Sequence, residues 1–409
     1  MGRTFGYRLQ AERKMRGLSR AALGEGLLAP GRVGSLEAGT VEPSGTDLQA
    51  LSARLAGRDC GEEQSAGPAV MTGLAARQAW DERNYPAAVS LALQSAQLRR
   101  DREEPTTAWE DTVLAVRALR NLHRFDEAVR FSAALVSDPA ARIDTARRAQ
   151  GLALLATARQ GAGQLDPAVH DAVRALRAAL SDAVGAEVLL EVLLALVAVL
   201  GESGRTQQAW THCTALLMPL LPTLRDPADA GRGWWAAGNV AFLCGDPGAG
   251  AHFHERAAQL LSPDDDLQLW AAFNRGSASK RVAAGLHDAA TLQCIDRAET
   301  AMAVLEAPAA ERLDLLRCRG RYLHLAGNPQ AGAELLTRAY EARSALSPQA
   351  AAELALQLGL SLADLGDTRA AREHLAESSR WYRSAGAVNR SAHAARLVGG
   401  LDGRNAAGC

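Results

Sequence analysis

Beyond residue 70 the apolar positions do not alternate with polar ones, and runs of β-branched or aromatic residues are absent, so strands are not expected. A repeated turn appears instead. The two-residue turns are Arg83-Asn84, His123-Arg124, Gly163-Gln164, Gly204-Arg205, Gly245-Asp246, Gly285-Leu286, Gly327-Asn328 and Gly366-Asp367, spaced 39 to 42 residues apart. Five residues after each first member stands a small side chain: Ala88, Ala128, Ala168, Ala209, Gly250, Ala290, Gly332 and Ala371. A fixed period with a small residue in register predicts about eight stacked helical hairpins, each burying its apolar face only against its neighbours. The most apolar segment, 188–200, is interrupted by Glu191 and falls short of the ~20 residues that span a bilayer. It is expected as a buried helix.

The first 55 residues follow a different plan, of short helices with punctuation between them. Leu9 and Arg13 begin an apolar and basic helical face, and Gly17 closes that helix where a positive φ is wanted. Ser19 is placed to cap a second helix, 20–27. A tight turn at Leu28-Ala29 leads to Pro30, which suits the first turn of a third helix, 31–37, ending at Ala38-Gly39. Pro43-Ser44 opens a fourth, 46–55. Two short helices joined by a tight turn predict a helix-turn-helix, whose second member lies in a DNA major groove. The polar, glycine-bearing run RDCGEEQSAGP, 58–68, reads as a linker. The expected division is a head at 1–58, a linker at 59–69, a repeat domain at 70–400 and a flexible tail at 401–409, all α in class.

Gly6-x-Arg8-Leu9, Arg13, Gly17-Leu18-Ser19, Ala22-Leu23, Val33-x-x-Leu36-Glu37-x-Gly39, Pro43-Ser44 and Leu48-x-x-Leu51-x-x-x-Leu55 resemble the xenobiotic-response-element (XRE) family, the helix-turn-helix of lambda-type repressors. The resemblance implies a structural ion pair between Arg13 and Glu37. It also places Arg20, where the family usually has Gln, at a phosphate or base edge. Gly31, Arg32 and Ser35 then face the groove, with Thr40 of the exit loop among the DNA contacts. The chain departs from the family in three ways. One residue is missing from the turn, and the exit loop reads Thr40-Val41-Glu42 where the family favours basic residues. The recognition helix carries Gly31 and Gly34, each costing ~1 kcal/mol against Ala. Only Arg32 has the fork that reads guanine through two bonds. A helix-turn-helix kept for dimerisation or protein contact is the alternative.

The repeats resemble the tetratricopeptide (TPR) repeat, lengthened to about 40 residues, in Asn121-Leu-His-Arg-Phe125-Asp-Glu-Ala128, Gly163-Gln-Leu-Asp-Pro-Ala168 and Gly238-Asn239-x(5)-Gly245-Asp246. Small residues seven before the turn, Gly238, Ala278, Gly320 and Gly359, belong to the same pattern. In such hairpins the positions six and ten before the turn glycine point into the concave surface. Here they are Arg77, Arg117, Thr157, Ala198, Asn239, Ser279 and Arg321, with Trp235, Arg275 and Arg317 in the later repeats. Asn can pair donor and acceptor with a peptide backbone, and Arg can clamp a carboxylate. Trp235, Asn239, Arg275, Arg317 and Arg321 therefore form the candidate ligand site. The bland reading is that Arg317 and Arg321 pair with acids such as Asp314. An XRE-type head followed by TPR repeats resembles the bacterial RRNPP class of transcription regulators, which implies a homodimer whose repeats bind a peptide that alters DNA binding. A TPR scaffold for a protein partner, with a head that no longer reads DNA, is the alternative.

Charge sharpens this division. The net charge is −1, but 1–58 holds nine basic and five acidic side chains, a local excess suited to phosphate. The six cysteines are scattered, with no C-x-x-C, so neither a disulfide framework nor a zinc ribbon is indicated and a reducing cytoplasm fits. The N-terminus lacks a basic start followed by an apolar run, so no signal peptide is read there. Neither a nucleophile elbow, a P-loop nor a dinucleotide glycine motif occurs, and no enzyme, cofactor or metal is expected. His252-x-His254 near Cys244 lacks further spaced ligands, and Trp234, Trp235, Trp270 and Phe273 read as packing between hairpins.

Overall fold

The computed structural model describes residues 2–25, 28, 31–41, 43–44, 47–48, 51, 54–55, 66–181, 184–384 and 387–406, and among these there is no strand. The chain forms two compact units, Met1–Arg205 and Thr206–Cys409. The first begins with α1 (Gly2–Met15), α2 (Arg20–Gly24) and α3 (Arg32–Glu37), and α4 (Ala66–Asp81) opens a series of long paired helices. Leu9, Leu23, Val33, Leu36, Leu51 and Leu55, apolar positions of the helix-turn-helix pattern, form the core of the head. Of the expected fourth helix, Asp47, Leu48, Leu51, Arg54 and Leu55 are described, all helical; Pro30 and Glu42 lie outside the described residues.

Each turn position read from the sequence lies between two helices and has a positive φ, from 56° at His123 to 84° at Gly327 and Gly366. The first residue of the turn closes one helix. Gly245 donates its N–H to the Phe242 carbonyl at 3.1 Å, and Asp246 donates to Ala241 at 3.0 Å, a left-handed end that uses up orphan carbonyls. The second residue starts the next helix. The Asp246 carboxylate accepts from the Ala249 N–H at 2.9 Å, and Asn84, Asn328 and Asp367 cap their helices alike.

The small residues in register let paired helices cross closely. A side chain on Gly320 would meet Leu336 at 2.7 Å, and one on Gly332 would meet the Gly320 carbonyl at 2.7 Å. Ala88, Ala128, Ala168, Ala209 and Ala371 are fully buried. The register slips once. After Gly285 the chain adds His287-Asp288 before the helix Ala289–Val304, and Thr291 rather than Ala290 is the fully buried residue. Both the N–H and the hydroxyl of Thr291 donate to Asp288.

The apolar segment 188–200 lies within the helix Ala186–Glu202, with Leu190, Leu193 and Leu196 buried. Two boundaries differ from expectation. α4 starts at Ala66, inside the expected linker, because Ala69 packs completely buried; 56–65 lie outside the described residues. The helix Val388–Ala406 runs through most of the expected tail, since Leu401 packs with Ala371 and Leu375. Among the described residues no helix is long and apolar enough to cross a membrane.

Candidate functional site

The head is assembled around one carboxylate. α1 ends at Gly17, φ 67°, and Ser19 caps α2 by accepting the Ala22 N–H at 3.0 Å. α1 crosses the end of α3 so closely that a side chain on Gly6 would meet the Leu36 carbonyl oxygen at 2.3 Å. That crossing brings Arg13 to Glu37: Nε donates to Oε1 at 2.5 Å and Nη2 to Oε2 at 3.3 Å, while Nη1 donates to the Leu18 carbonyl at 2.7 Å. Arg20 joins them, its Nε donating to Glu37 Oε2 at 2.6 Å. The Glu37 side chain is 1% exposed. Burial works to raise its pKa, but the bonds from Arg13 and Arg20 outweigh burial and hold the carboxyl below its ordinary value.

Of the residues expected at DNA, Arg20 thus bonds a carboxylate of its own fold, with its side chain 55% exposed. Gly31, expected inside the third helix, is not a residue of α3. It stands before Arg32 as the N-cap, φ 84°, a conformation glycine adopts without steric cost, so the helical glycine penalty falls on Gly34 alone. Arg32 is held by Asp47: Nη2 donates to Oδ2 at 2.6 Å and Nε to Oδ1 at 3.2 Å. Asp47 also accepts from the N–H and hydroxyl of Ser44, at 2.8 and 2.9 Å, and returns its own N–H to the Ser44 oxygen at 3.1 Å. The Arg32 bond, against burial, keeps the Asp47 carboxyl well below the usual carboxylate range. Ser35 donates to the Gly31 carbonyl at 3.3 Å, and Thr40 to the Ser35 carbonyl at 3.0 Å. Asp47 was not among the expected site residues. Its signal was present, because Ser44-x-x-Asp47 has the spacing of a reciprocal helix cap.

In the second unit the helices Pro227–Leu243, Leu267–Ala283, Ala309–Leu325 and Pro348–Asp364 pack successively side by side. Trp235 stands edge-on to Phe273, ring centroids 5.8 Å apart, and its buried Nε1 has no hydrogen-bond partner among the described residues. Asn239, half-buried, is one helical turn further along the same face. Arg275 faces Asp314 at 3.5 Å and Glu311 at 3.7 Å. Arg317 is buried, bonded to Asp314 at 2.7 and 3.1 Å and to the Ser279 hydroxyl at 3.3 Å. Arg275 and Arg317 therefore share an acid, as the bland reading had it for Arg317. Arg321 makes no ion pair with Asp314. Burial pushes its pKa down, with Glu353 and Asp364 acting the other way. Glu353, which accepts from Tyr382 and from Gln357 at 2.9 Å, is a part of this network that the repeat pattern did not single out.

The two histidines separate. His254 is buried with Nδ1 2.9 Å from the Ser277 hydroxyl, and burial pushes its pKa down to about 3, whereas His252 is exposed. Among the described residues no group of three His, Cys, Asp or Glu is placed to hold a metal. Trp234 packs on Phe253, centroids 5.5 Å apart, under the Arg256 guanidinium at 3.6 Å.

No family model matches this sequence. No curated protein sequence matches it either. Solved structures do. A Rap protein complexed with Competence and Sporulation Factor superposes with a TM-score of 0.55 at 12% identity, covering 98% of this chain and 99% of its own. The Rap conjugation gene regulator of plasmid pLS20, in complex with the Phr* peptide, gives 0.54 at 14%, over 83% and 95%. PlcR of Bacillus thuringiensis, in complex with the peptide PapR7 and DNA, gives 0.42 at 14%, over 67% and 98%. At such identities the likeness is one of fold: this chain shares the helical-repeat architecture of the Rap structures.

Proposed function

We propose that this protein is a transcription regulator whose head reads DNA through α3 and whose repeats sense an effector, a peptide or small acidic ligand. The observation that carries the reading is Glu37, a buried carboxylate drawing Arg13 and Arg20 onto the end of α3. It ties the short α3 to α1, which supports reading α3 as a helix held in place for a groove. The Rap structures, solved with Competence and Sporulation Factor and with the Phr* peptide, support the effector half. In the second unit the effector would lie against Trp235, Asn239 and Arg321, where an indole N–H awaits an acceptor.

A second reading has its own observation. Arg20 and Arg32, the two side chains suited to DNA, are both bonded to carboxylates of their own fold. A scaffold that binds a protein partner would need neither. Selection of genomic fragments with purified full-length protein, wild type and Arg32→Ala, separates the two. Enrichment of a common sequence by wild type, with relaxed preference in Arg32→Ala, is the expected result. No enrichment at low salt would leave the scaffold.

A further inference from the structure

Between α1 and α4 the first unit holds a partly open cavity of about 280 Å³ that neither half of the proposed function uses. Its walls are apolar: Phe5 and Leu9 from α1, Leu48 and Leu55 beyond α3, Met71 and Leu74 from α4. The volume is nearly twice the roughly 150 Å³ of an apolar cavity that takes up benzene. A body of about two fused rings matches that space.

The polar groups of the lining say what such a body must carry. Glu12 is paired with Arg16 at 2.7 Å, Gln78 donates to Glu82 at 2.9 Å, and Arg8 Nη2 donates to Asp81 at 2.6 Å. Arg8 Nη1 is buried and has no hydrogen-bond partner among the described residues. A buried donor left unmade costs free energy, so the cavity asks for an acceptor. With Glu12 answered by Arg16, Asp81 and Glu82 set two carboxylates against the one guanidinium of Arg8, which disfavours an anionic acceptor.

We propose that this cavity is a second effector site, for a neutral apolar molecule that offers one carbonyl-type oxygen to Arg8 Nη1. It is separate from the groove of the second unit and does not depend on the head reading DNA. Such a ligand touches α1 and α4 at once and so couples the head to the first hairpin.

The test is a titration of full-length protein, followed by ligand-detected NMR, with 2-acetonaphthone, 2-ethylnaphthalene and 2-naphthoate. The ketone should bind about tenfold or more tighter than the hydrocarbon, the scale of a bond to a charged donor, and tighter than the carboxylate. Arg8→Lys keeps the charge beside Asp81 but has no second nitrogen, and should bring the ketone to the level of the hydrocarbon. Ala75 of α4 also lines the cavity, and Ala75→Phe, which fills it, should abolish uptake of both, its fold checked by a circular-dichroism melt. If Ala75→Phe does not fold, Arg8→Lys and the ligand series still decide. Equal binding of ketone and hydrocarbon by wild type, tighter binding of the carboxylate, unchanged ketone binding by either variant, or no binding at all would overturn the proposal.

Discussion

Glu37 is a buried carboxylate shared by two arginines, an arrangement that cannot lose a partner cheaply. Glu37→Ala strands Arg13 beside the site it filled and should destabilise the full chain by ~3–5 kcal/mol, read as an earlier first transition in a thermal melt. An unchanged melt would mean that the pair contributes nothing. The same group has a pH signature. Its folded pKa lies below the ordinary 4.5, so the stability it contributes is complete above that value and is lost as pH falls through the folded pKa. Melts from pH 6 to pH 3 should therefore show the wild-type head weakening below pH 4.5, and Glu37→Gln should flatten that fall. Asp47 poses the opposite question, because its removal frees rather than strands Arg32, the side chain proposed to read DNA. Asp47→Asn should raise affinity for the selected DNA several-fold by loosening Arg32, measured by fluorescence anisotropy, if Asp47 competes with guanine for the fork. A loss of affinity would show instead that Asp47 orients Arg32 for reading.

At the scale of elements, two kinds of glycine are easily confused in the sequence and separate in the structure. Gly245 has φ 79° with nothing within 4 Å of the place where a side chain would start, so its role is conformational. Gly320 lies inside a helix and faces Leu336 at 2.7 Å, so its role is space. Gly245→Asn, a residue that tolerates the left-handed region, should cost under ~1 kcal/mol, whereas Gly245→Val should cost more than ~1 kcal/mol. Gly320→Asn should be as damaging as Gly320→Ala or worse, at ~1–3 kcal/mol or more, because any Cβ collides. Urea unfolding of the four variants distinguishes the two roles, and equal costs for Gly245→Asn and Gly245→Val would refute the first. Four of these turns, at Asn84, Asp246, Asn328 and Asp367, were legible from a left-handed residue followed by an Asn or Asp cap, and the other four from the fixed period alone. The Thr291 slip was not legible, since two added residues, His287 and Asp288, keep the glycine period while moving the buried position. Arg275 and Arg317 meeting over Asp314 was half legible: Arg317 and Asp314 are three apart on one helix, but Arg275 reaches them from another helix through packing that no spacing reports.

For the whole molecule, the proposed reading requires more than one head. A single helix-turn-helix buries too little surface to choose among genomic sites, and twofold pairing is the commonest way to present two. The full chain is therefore expected to scatter light as a dimer, at twice 43.1 kDa, and to bind its selected DNA with two chains per duplex. Arg20 then offers a sensitive readout, because each dimer carries two copies. If each arginine also meets a phosphate, Arg20→Ala should lower the slope of log affinity against log salt by about two per dimer, and by about one if the protein binds as a monomer. An unchanged slope would assign Arg20 to Glu37 alone, as the 2.6 Å bond between them would then suffice to explain it. A monomer at micromolar concentration that nevertheless selects a palindrome would place dimerisation on the DNA. A monomer that selects nothing would sink the regulator reading and leave the repeats as a scaffold.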